Sequence, residues 1–263
     1  MAQTWLLVDA GNSRIKWALL DSTSGVGEPG RWQASGTAPA EQAEQLEDAW
    51  RGLDISVTLV SNVAGPQLRT VLEQIFSRLL PAGVTAQWMV SAPELAGVRN
   101  AYRQPQQLGT DRMASAIGAR ALFPAQALLV VTCGTATTID VVSADGIFRG
   151  GMILPGLSLM ARALARHTAQ LPEVSSHQAQ AALFADNTED AIAGGCIAAQ
   201  AGAVEKAYAA LLQQSRAADV QCVVSGGGAA SILPHLALPY VFVDNLVLIG
   251  LQTIAHQSLT PPC

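Results

Sequence analysis

Apolar residues come along this chain in short runs that switch between a strand-like and a helix-like period. Trp5–Val8 is a continuous apolar run ending in the polar turn Asp9-Ala10-Gly11-Asn12-Ser13, and Ile15–Leu20 follows it. That pattern predicts a buried β-hairpin, with a third strand near Arg31–Ser35. Ala40–Trp50 has helical spacing, Ile55–Ser61 is rich in β-branched residues, and Pro66–Leu80 combines an early proline with apolar residues at helical intervals. Thr85–Val90 reads as a further strand. Ala92–Gln107 is punctuated by Pro93, Gly97, Asn100 and Pro105, so it reads as loop.

The second half repeats the opening logic. A helix over Asp111–Leu122 precedes the apolar strand Ala127–Val131, the turn Cys133-Gly134-Thr135 and a return strand Thr137–Val142. Asp145-Gly146 predicts a hairpin into Ile147–Phe148. Arg149-Gly150-Gly151-Met152-Ile153-Leu154-Pro155-Gly156 reads either as backbone that its glycines let line a pocket wall or as a tight turn and helix start, ahead of a helix over Leu157–Ala165. A long helix capped by Asn187 or Thr188 runs to about Ser215. Strands at Cys222–Val224 and Tyr240–Val243, with Gly226–Gly228 between them, and a last helix from Asn245 complete the chain. Strands alternating with helices indicate an α/β fold. A lobe boundary near the end of the loop gives residues 1–108 and 109–263. Sliding the first turn onto the second so that Val8 meets Val131 also places Gly11 on Gly134, Asn12 on Thr135, Ile15 on Thr138 and Asp9 on Thr132. The likeness is one of pattern, and two unrelated buried hairpins would share much of it.

Composition narrows the function. The chain has 263 residues, half of them hydrophobic and 13% charged, enough for a sizeable core. A net charge of −5 argues against a general electrostatic grip on nucleic acid or acidic lipid. No run approaches the roughly 18 apolar residues of a spanning helix. Cys133, Cys196, Cys222 and Cys263 form no CxxC pair, which suits a reducing, cytoplasmic compartment. His167, His177, His235 and His256 form no zinc-like spacing, and there is no Walker loop, Rossmann glycine pattern or G-x-S-x-G elbow.

What remains is phosphate chemistry. Gly11 at a hairpin tip lets backbone N–H groups approach phosphate oxygens. Asn12 and Ser13 add neutral donors, Lys16 a cation, and Asp9 an oxygen ligand for Mg²⁺. An Asx-type turn in an ordinary hairpin is the competing reading. Gly134 with the hydroxyls of Thr135, Thr137 and Thr138 offers a second such turn, although threonine is also a common strand residue. Two such turns in one chain point to a nucleotide cleft between two lobes. Asp111, in Leu108-Gly109-Thr110-Asp111-Arg112-Met113, sits where loop becomes helix. Thr110 or Asp111 there is either a helix cap or, for Asp111, a base for a substrate hydroxyl, with Arg112 ready for a carboxylate or phosphate.

Taken together, the ordered motifs D-x-G-N-S, Y-x6-G-x-D-R, G-T-A-x-T-x-D, G-G-x-I-x-P-G and N-T-x-x-A-I-x-x-G resemble the type III pantothenate kinases. That family also includes proteins named Bvg accessory factors. The resemblance spans residue 9 to about 250. It implies a two-lobed, actin-like ASKHA (ribonuclease H-like) fold with duplicated lobes. It also implies ATP-dependent phosphorylation of pantothenate to 4'-phosphopantothenate, a phosphotransfer to an alcohol and the first step of coenzyme A biosynthesis. By motif, Asp9, Ala10, Gly11, Asn12, Ser13, Arg14, Ile15 and Lys16 form the first phosphate loop, and Gly134 and Thr135 contact ATP. Asp111 is implied as the base, and Tyr102, Gly109, Thr110, Asp111, Arg112 and Thr188 as pantothenate contacts. A homodimer with pantothenate at its interface is implied, and Gly226–Gly228 resembles the adenine-side segment. The family's second loop carries an Asp associated with K⁺ or NH₄⁺ where this chain has Thr132. A neutral hydroxyl removes a full charge from that cation's shell, so a weak or absent K⁺ requirement is expected. A nucleotide-binding regulator without catalysis, or a sugar or acid kinase of the same fold, are the alternative readings.

Overall fold

The computed structural model describes residues 4–21, 28–81, 83–174, 184–215 and 220–259. His177 and Cys263 lie outside them. The chain forms two compact units. The first comprises Met1–Pro124, Gly146–Phe148 and Asn245–Cys263, the second Ala125–Asp145 and Arg149–Asp244. This division differs from the expected one at 108/109. The helix after the loop and the last helix both go with the first unit, because they pack on each other.

In the first unit, β1 (Thr4–Ala10) and β2 (Arg14–Asp21) form the antiparallel hairpin that the apolar runs predict. β3 (Ala34–Pro39) lies a few residues later than expected. β4 (Val57–Asn62) runs parallel to β1, and β5 (Ala86–Trp88) extends the sheet to the order β3-β2-β1-β4-β5. The helical spacing of Ala40–Trp50 is real but its backbone is not continuous. A 3-10 turn over Ala40–Gln45 breaks at Gln42 (φ −117°, ψ 30°) before the short helix α1 (Leu46–Trp50). Burial at Ala43, Leu46 and Trp50 explains the spacing, and the Trp50 ring stacks on Phe76 at 5.6 Å from α2 (Pro66–Leu79).

The expected loop at 92–107 contains two short strands, β6 (Glu94–Leu95) and β7 (Val98–Asn100), and β7 runs parallel to Ile147–Phe148. α3 (Thr110–Leu122) follows. The closing helix α6 (Leu246–Leu259) lies against it at Gly118 and Gly250. A Cβ at Gly118 would fall 2.9 Å from the Gly250 nitrogen, and one at Gly250 would overlap the Ala114 carbonyl, so neither helix tolerates a side chain at the crossing.

The second unit repeats this strand order. β8 (Ala127–Cys133) and β9 (Ala136–Val142) form its hairpin, and β11 (Val220–Ser225) runs parallel to β8. β12 (Val241–Phe242) pairs with β11, and β10 (Ile147–Pro155) with β9. Residues 149–155, for which a turn is one sequence reading, are therefore strand. Gly151 serves a tight sheet contact, since a Cβ there would overlap the Asp140 carboxylate and the Ile139 carbonyl, whereas Gly150 takes a positive φ of 130°. α4 (Leu157–His167) and α5 (Thr188–Ser215) cover this sheet, with Leu129, Val131, Ile197 and Val204 in one core. Among the described residues no helix is long and apolar enough to cross a membrane, and Cys133, Cys196 and Cys222 are buried free thiols.

The hairpins also correct the sequence alignment. The first closes over residues 11–14 between the paired Ala10 and Ile15, the second over 134–136 between Cys133 and Thr137. The second turn is one residue shorter, so on the return strand Ile15 corresponds to Thr137 and Lys16 to Thr138, whereas Asp9 still corresponds to Thr132.

Candidate active site

The first turn is braced from several sides. The Gly11 N–H donates to the Arg14 carbonyl at 3.1 Å, and the Ala40 N–H to the Ser13 carbonyl at 3.0 Å. Asn12 Nδ2 reaches the Val63 carbonyl at 3.4 Å. Asn62 in turn accepts from the Ala64 N–H and donates to the Gly65 carbonyl just ahead of α2. Asn12, Ser13 and Arg14 are exposed, while Ala10 and Ile15 are fully buried in the core, so these two offer a ligand only backbone.

Behind the turn, three polar side chains stand in one row across the sheet. Asp9 pairs with Lys16 on β2 and with Ser61 on β4. Burial pushes the Asp9 carboxyl up to about 7, the charge of Asp111 adds to that, and Lys16 pulls it back. The buried Ser61 Oγ lies 2.9 Å from Thr110 Oγ1, which ties the end of β4 to the start of α3. Gly109 is the residue preceding the helix, so neither Thr110 nor Asp111 is its cap. Asp111 Oδ1 accepts the Arg112 N–H at 2.8 Å and packs back over Gly109, where a Cβ would fall only 2.7 Å from it. Burial raises the Asp111 pKa, and the Arg112 N–H and charge oppose that. These groups belong to one unit and bring two carboxylates into electrostatic contact at the strand ends.

Arg112 is itself buried. Its Nη1 donates to Tyr102 Oη at 2.9 Å, and the guanidinium carbon lies 5.7 Å from the ring centres of both Tyr102 and Phe148. Asn100 sets the Tyr102 backbone by accepting its N–H at 3.0 Å while donating to the Pro105 carbonyl. The planar cation is thus stacked and aimed rather than free to wander.

The second turn lies in the second unit. The Gly134 N–H donates to the Ala136 carbonyl at 3.0 Å, and Gly134 and Thr135 are exposed. Thr137, read as a hydroxyl for phosphate, instead turns inward and donates to Gln200 Oε1 at 2.7 Å. Thr138 Oγ1 is buried without a hydrogen-bond partner. Thr132 pairs with Thr138 and with Ser225. The Gly228 N–H donates to the Cys133 carbonyl, which places the glycine run beside the base of this turn. Thr188 is exposed at the start of α5, and Asn187 is the cap, its Oδ1 accepting the Asp190 N–H at 2.9 Å.

A family profile described as type III pantothenate kinase matches residues 5–210. A Herminiimonas arsenicoxydans protein named type III pantothenate kinase is 54% identical over 98% of this chain and 99% of its own length. The chain belongs to the type III pantothenate kinase family. A Janthinobacterium sp. (strain Marseille) relative of the same name is 52% identical over the same shares. Solved structures agree in fold alone. A Campylobacter jejuni protein described as a conserved Baf family transcriptional activator aligns with TM-score 0.59 and 20% identity over 97% of this chain and 98% of its own. A Sinorhizobium meliloti protein described as a 2-dehydro-3-deoxygalactonokinase aligns with TM-score 0.56 and 15% identity over 98% and 100%. A Listeria monocytogenes protein described as an N-acetylmannosamine kinase gives 0.53 and 14% over the same shares. The fold is the duplicated, actin-like ASKHA fold.

For this type III pantothenate kinase chain, motif reading missed Ser61, Phe148 and Gln200. Gln200 left a signal, as the only polar residue in the stretch 191–204. Ser61 and Phe148 left none, because each matters through a residue distant in sequence.

Proposed function

We propose that this chain transfers a phosphoryl group from ATP to the hydroxyl of pantothenate, the first step toward coenzyme A, with Asp111 accepting the hydroxyl proton. The observation that carries the role of Asp111 is its place: a half-buried carboxylate at the start of α3, held by the Arg112 N–H and raised in pKa by desolvation. Raising the pKa of a carboxyl makes its anion a stronger base. Ser61, through Thr110, and the side-chain-free Gly109 fix where that carboxylate points. Arg112, stacked by Tyr102 and Phe148, is oriented for the pantothenate carboxylate or the transferred phosphate, and Thr188 is a further pantothenate contact. The first turn, Asp9 to Lys16, and Gly134 with Thr135 are the ATP contacts.

Asp9 is the residue that would hold Mg²⁺. The donor set fits, since a carboxyl pushed to about 7 by burial and by Asp111 gains from a cation beside it. No group of three acidic, histidine or cysteine side chains that suits a metal occurs among the described residues. Water and phosphate oxygens would fill the other places, as is usual for Mg²⁺. Bound there, the ion would neutralise charge on the phosphate oxygens. A monovalent cation has weaker support, because Thr132 brings a hydroxyl where the family brings an acid. The reading also includes a homodimer with pantothenate at its interface and a cytoplasmic location.

The test is ADP release by the purified chain with ATP, Mg²⁺ and pantothenate, with 4'-phosphopantothenate identified by mass. ADP release with a sugar or another hydroxy acid but not with pantothenate would reassign the acceptor. ATP binding without turnover of any acceptor would make the chain a nucleotide-binding protein instead. Light scattering in the same buffer reads the dimer.

A further inference from the structure

Gln200 is a fully buried amide on α5, with Cys196, Ile197, Ala201 and Val204 around it in sequence all part of the second unit's apolar core. An amide is costly in such a place unless both its ends are bonded. Both are, and both partners flank the second turn. Oε1 accepts the Thr137 hydroxyl at 2.7 Å, directly after the turn. Nε2 donates to the Pro155 carbonyl at 2.6 Å, at the end of β10. The next residue closes the loop: the Gly156 N–H donates to the Thr135 carbonyl at 2.9 Å, and a Cβ at Gly156 would fall 2.7 Å from that oxygen. One side chain from a helix therefore clamps the Gly134–Ala136 turn against the end of a neighbouring strand.

We propose that Gln200 is a positioning residue for the nucleotide: through Thr137 and Pro155 it holds the Gly134–Ala136 turn in the one shape that binds ATP. This rests on the assignment of that turn to ATP. Thr188, the pantothenate contact on the same helix, lies roughly three turns from Gln200, about 18 Å along the axis. The clamp should therefore act on one substrate only.

The experiment compares Gln200→Met, Thr137→Val and Thr137→Ser. Losing the Thr137–Gln200 bond should raise the KM for ATP, and the Kd for ATP by calorimetry, roughly tenfold in Thr137→Val, and at least as much in Gln200→Met, which loses the bond to Pro155 as well. The KM for pantothenate and kcat should each move less than about twofold, a split that general destabilisation would not give. Thr137→Ser keeps the hydroxyl and should stay near wild type. The double variant should be no worse than Gln200→Met, since that change already removes the bond that Thr137→Val removes. Thr137→Val preserves side-chain volume on a strand, so it reports even where Gln200→Met fails to fold. An unmoved ATP constant in Thr137→Val, or a pantothenate KM that rises equally, overturns the inference. Wild-type protein that binds ATP but phosphorylates nothing would remove the kinase reading instead, and the calorimetric arm would still decide the role of Gln200.

Discussion

In the first unit Lys16, Asp9 and Ser61 lie side by side across β2, β1 and β4, and in the second Thr138, Thr132 and Ser225 take the corresponding places across β9, β8 and β11. The serine is the same in both rows, while an acid and a base have become two threonines. Replacing both together makes physical sense. Removing the acid alone would leave a half-buried lysine without its countercharge, a costlier state than a neutral pair. The first row is therefore a charged site, with Asp9 strained electrostatically by burial and by Asp111. The second is a neutral cradle that offers backbone and hydroxyls, one of them, Thr138 Oγ1, buried without a partner. The two hairpins match in form, and only the first sets an acid and a base side by side behind its turn.

The charged half should be the more fragile in function. Asp111→Asn keeps the shape at α3 and removes the proton acceptor, and kcat should fall about a thousandfold. Near-wild-type turnover in that variant would end its assignment as base. Asp9→Asn comes next, with a loss of about a hundredfold in kcat/KM at saturating Mg²⁺. It also has a signature in stability. The Asp9 carboxyl moves from 3.8 to about 7 on folding, so between those values the folded chain holds a proton that the unfolded chain releases. The stability due to Asp9 is full below the unfolded value and is lost as pH rises through about 7. Without metal and nucleotide, Tm should fall across that interval, and Asp9→Asn should flatten the fall. An unchanged slope would show that the carboxyl is not held as described.

How much of this the chain's letters disclosed depends on the distance over which each contact acts. The hairpins, α2 and α3 were legible because apolar runs, Pro66 and the turn residues are local signals. The motif order disclosed the family and the carboxylates Asp9 and Asp111. Gly150 and Gly151 misled, because a glycine pair reads as a turn unless one knows that Asp140 lies across the sheet. The return of α6 to the first unit depends on Gly118 and Gly250 meeting, which no local pattern announces. The hydrogen bonds that set the site have the same character: Ser61 and Thr110 are 49 residues apart, Thr137 and Gln200 are 63. Their partners are chosen by the fold, not by neighbours in sequence.

The comparison can be sharpened by restoring the lost acid. In wild type, exchanging K⁺ for Na⁺ should change the rate less than about twofold, because Thr132 gives a cation no charge to bind. Thr132→Asp places a carboxylate beside Thr138 and Ser225, and its rate should then rise several-fold, about three or more, with K⁺. Strong K⁺ dependence already present in wild type would refute the neutral character assigned to the second row.

The two serines isolate what differs between the rows at the one position where the residue is the same. Ser61 is bonded through its hydroxyl to Thr110, next to the base, whereas Ser225 ends its strand beside Thr132 with no acid nearby in register. Ser61→Ala should free Thr110 and lower kcat roughly fivefold, the size of one modest hydrogen bond felt at the transition state. Ser225→Ala removes an equally buried hydroxyl and should lower it less than about twofold. Thr110→Val should reproduce the Ser61→Ala loss, and combining the two should add little, since they cut the same bond. Equal losses at Ser61 and Ser225 would mean that both hydroxyls serve only strand packing, and that the base is aimed by Gly109 and the Arg112 N–H alone.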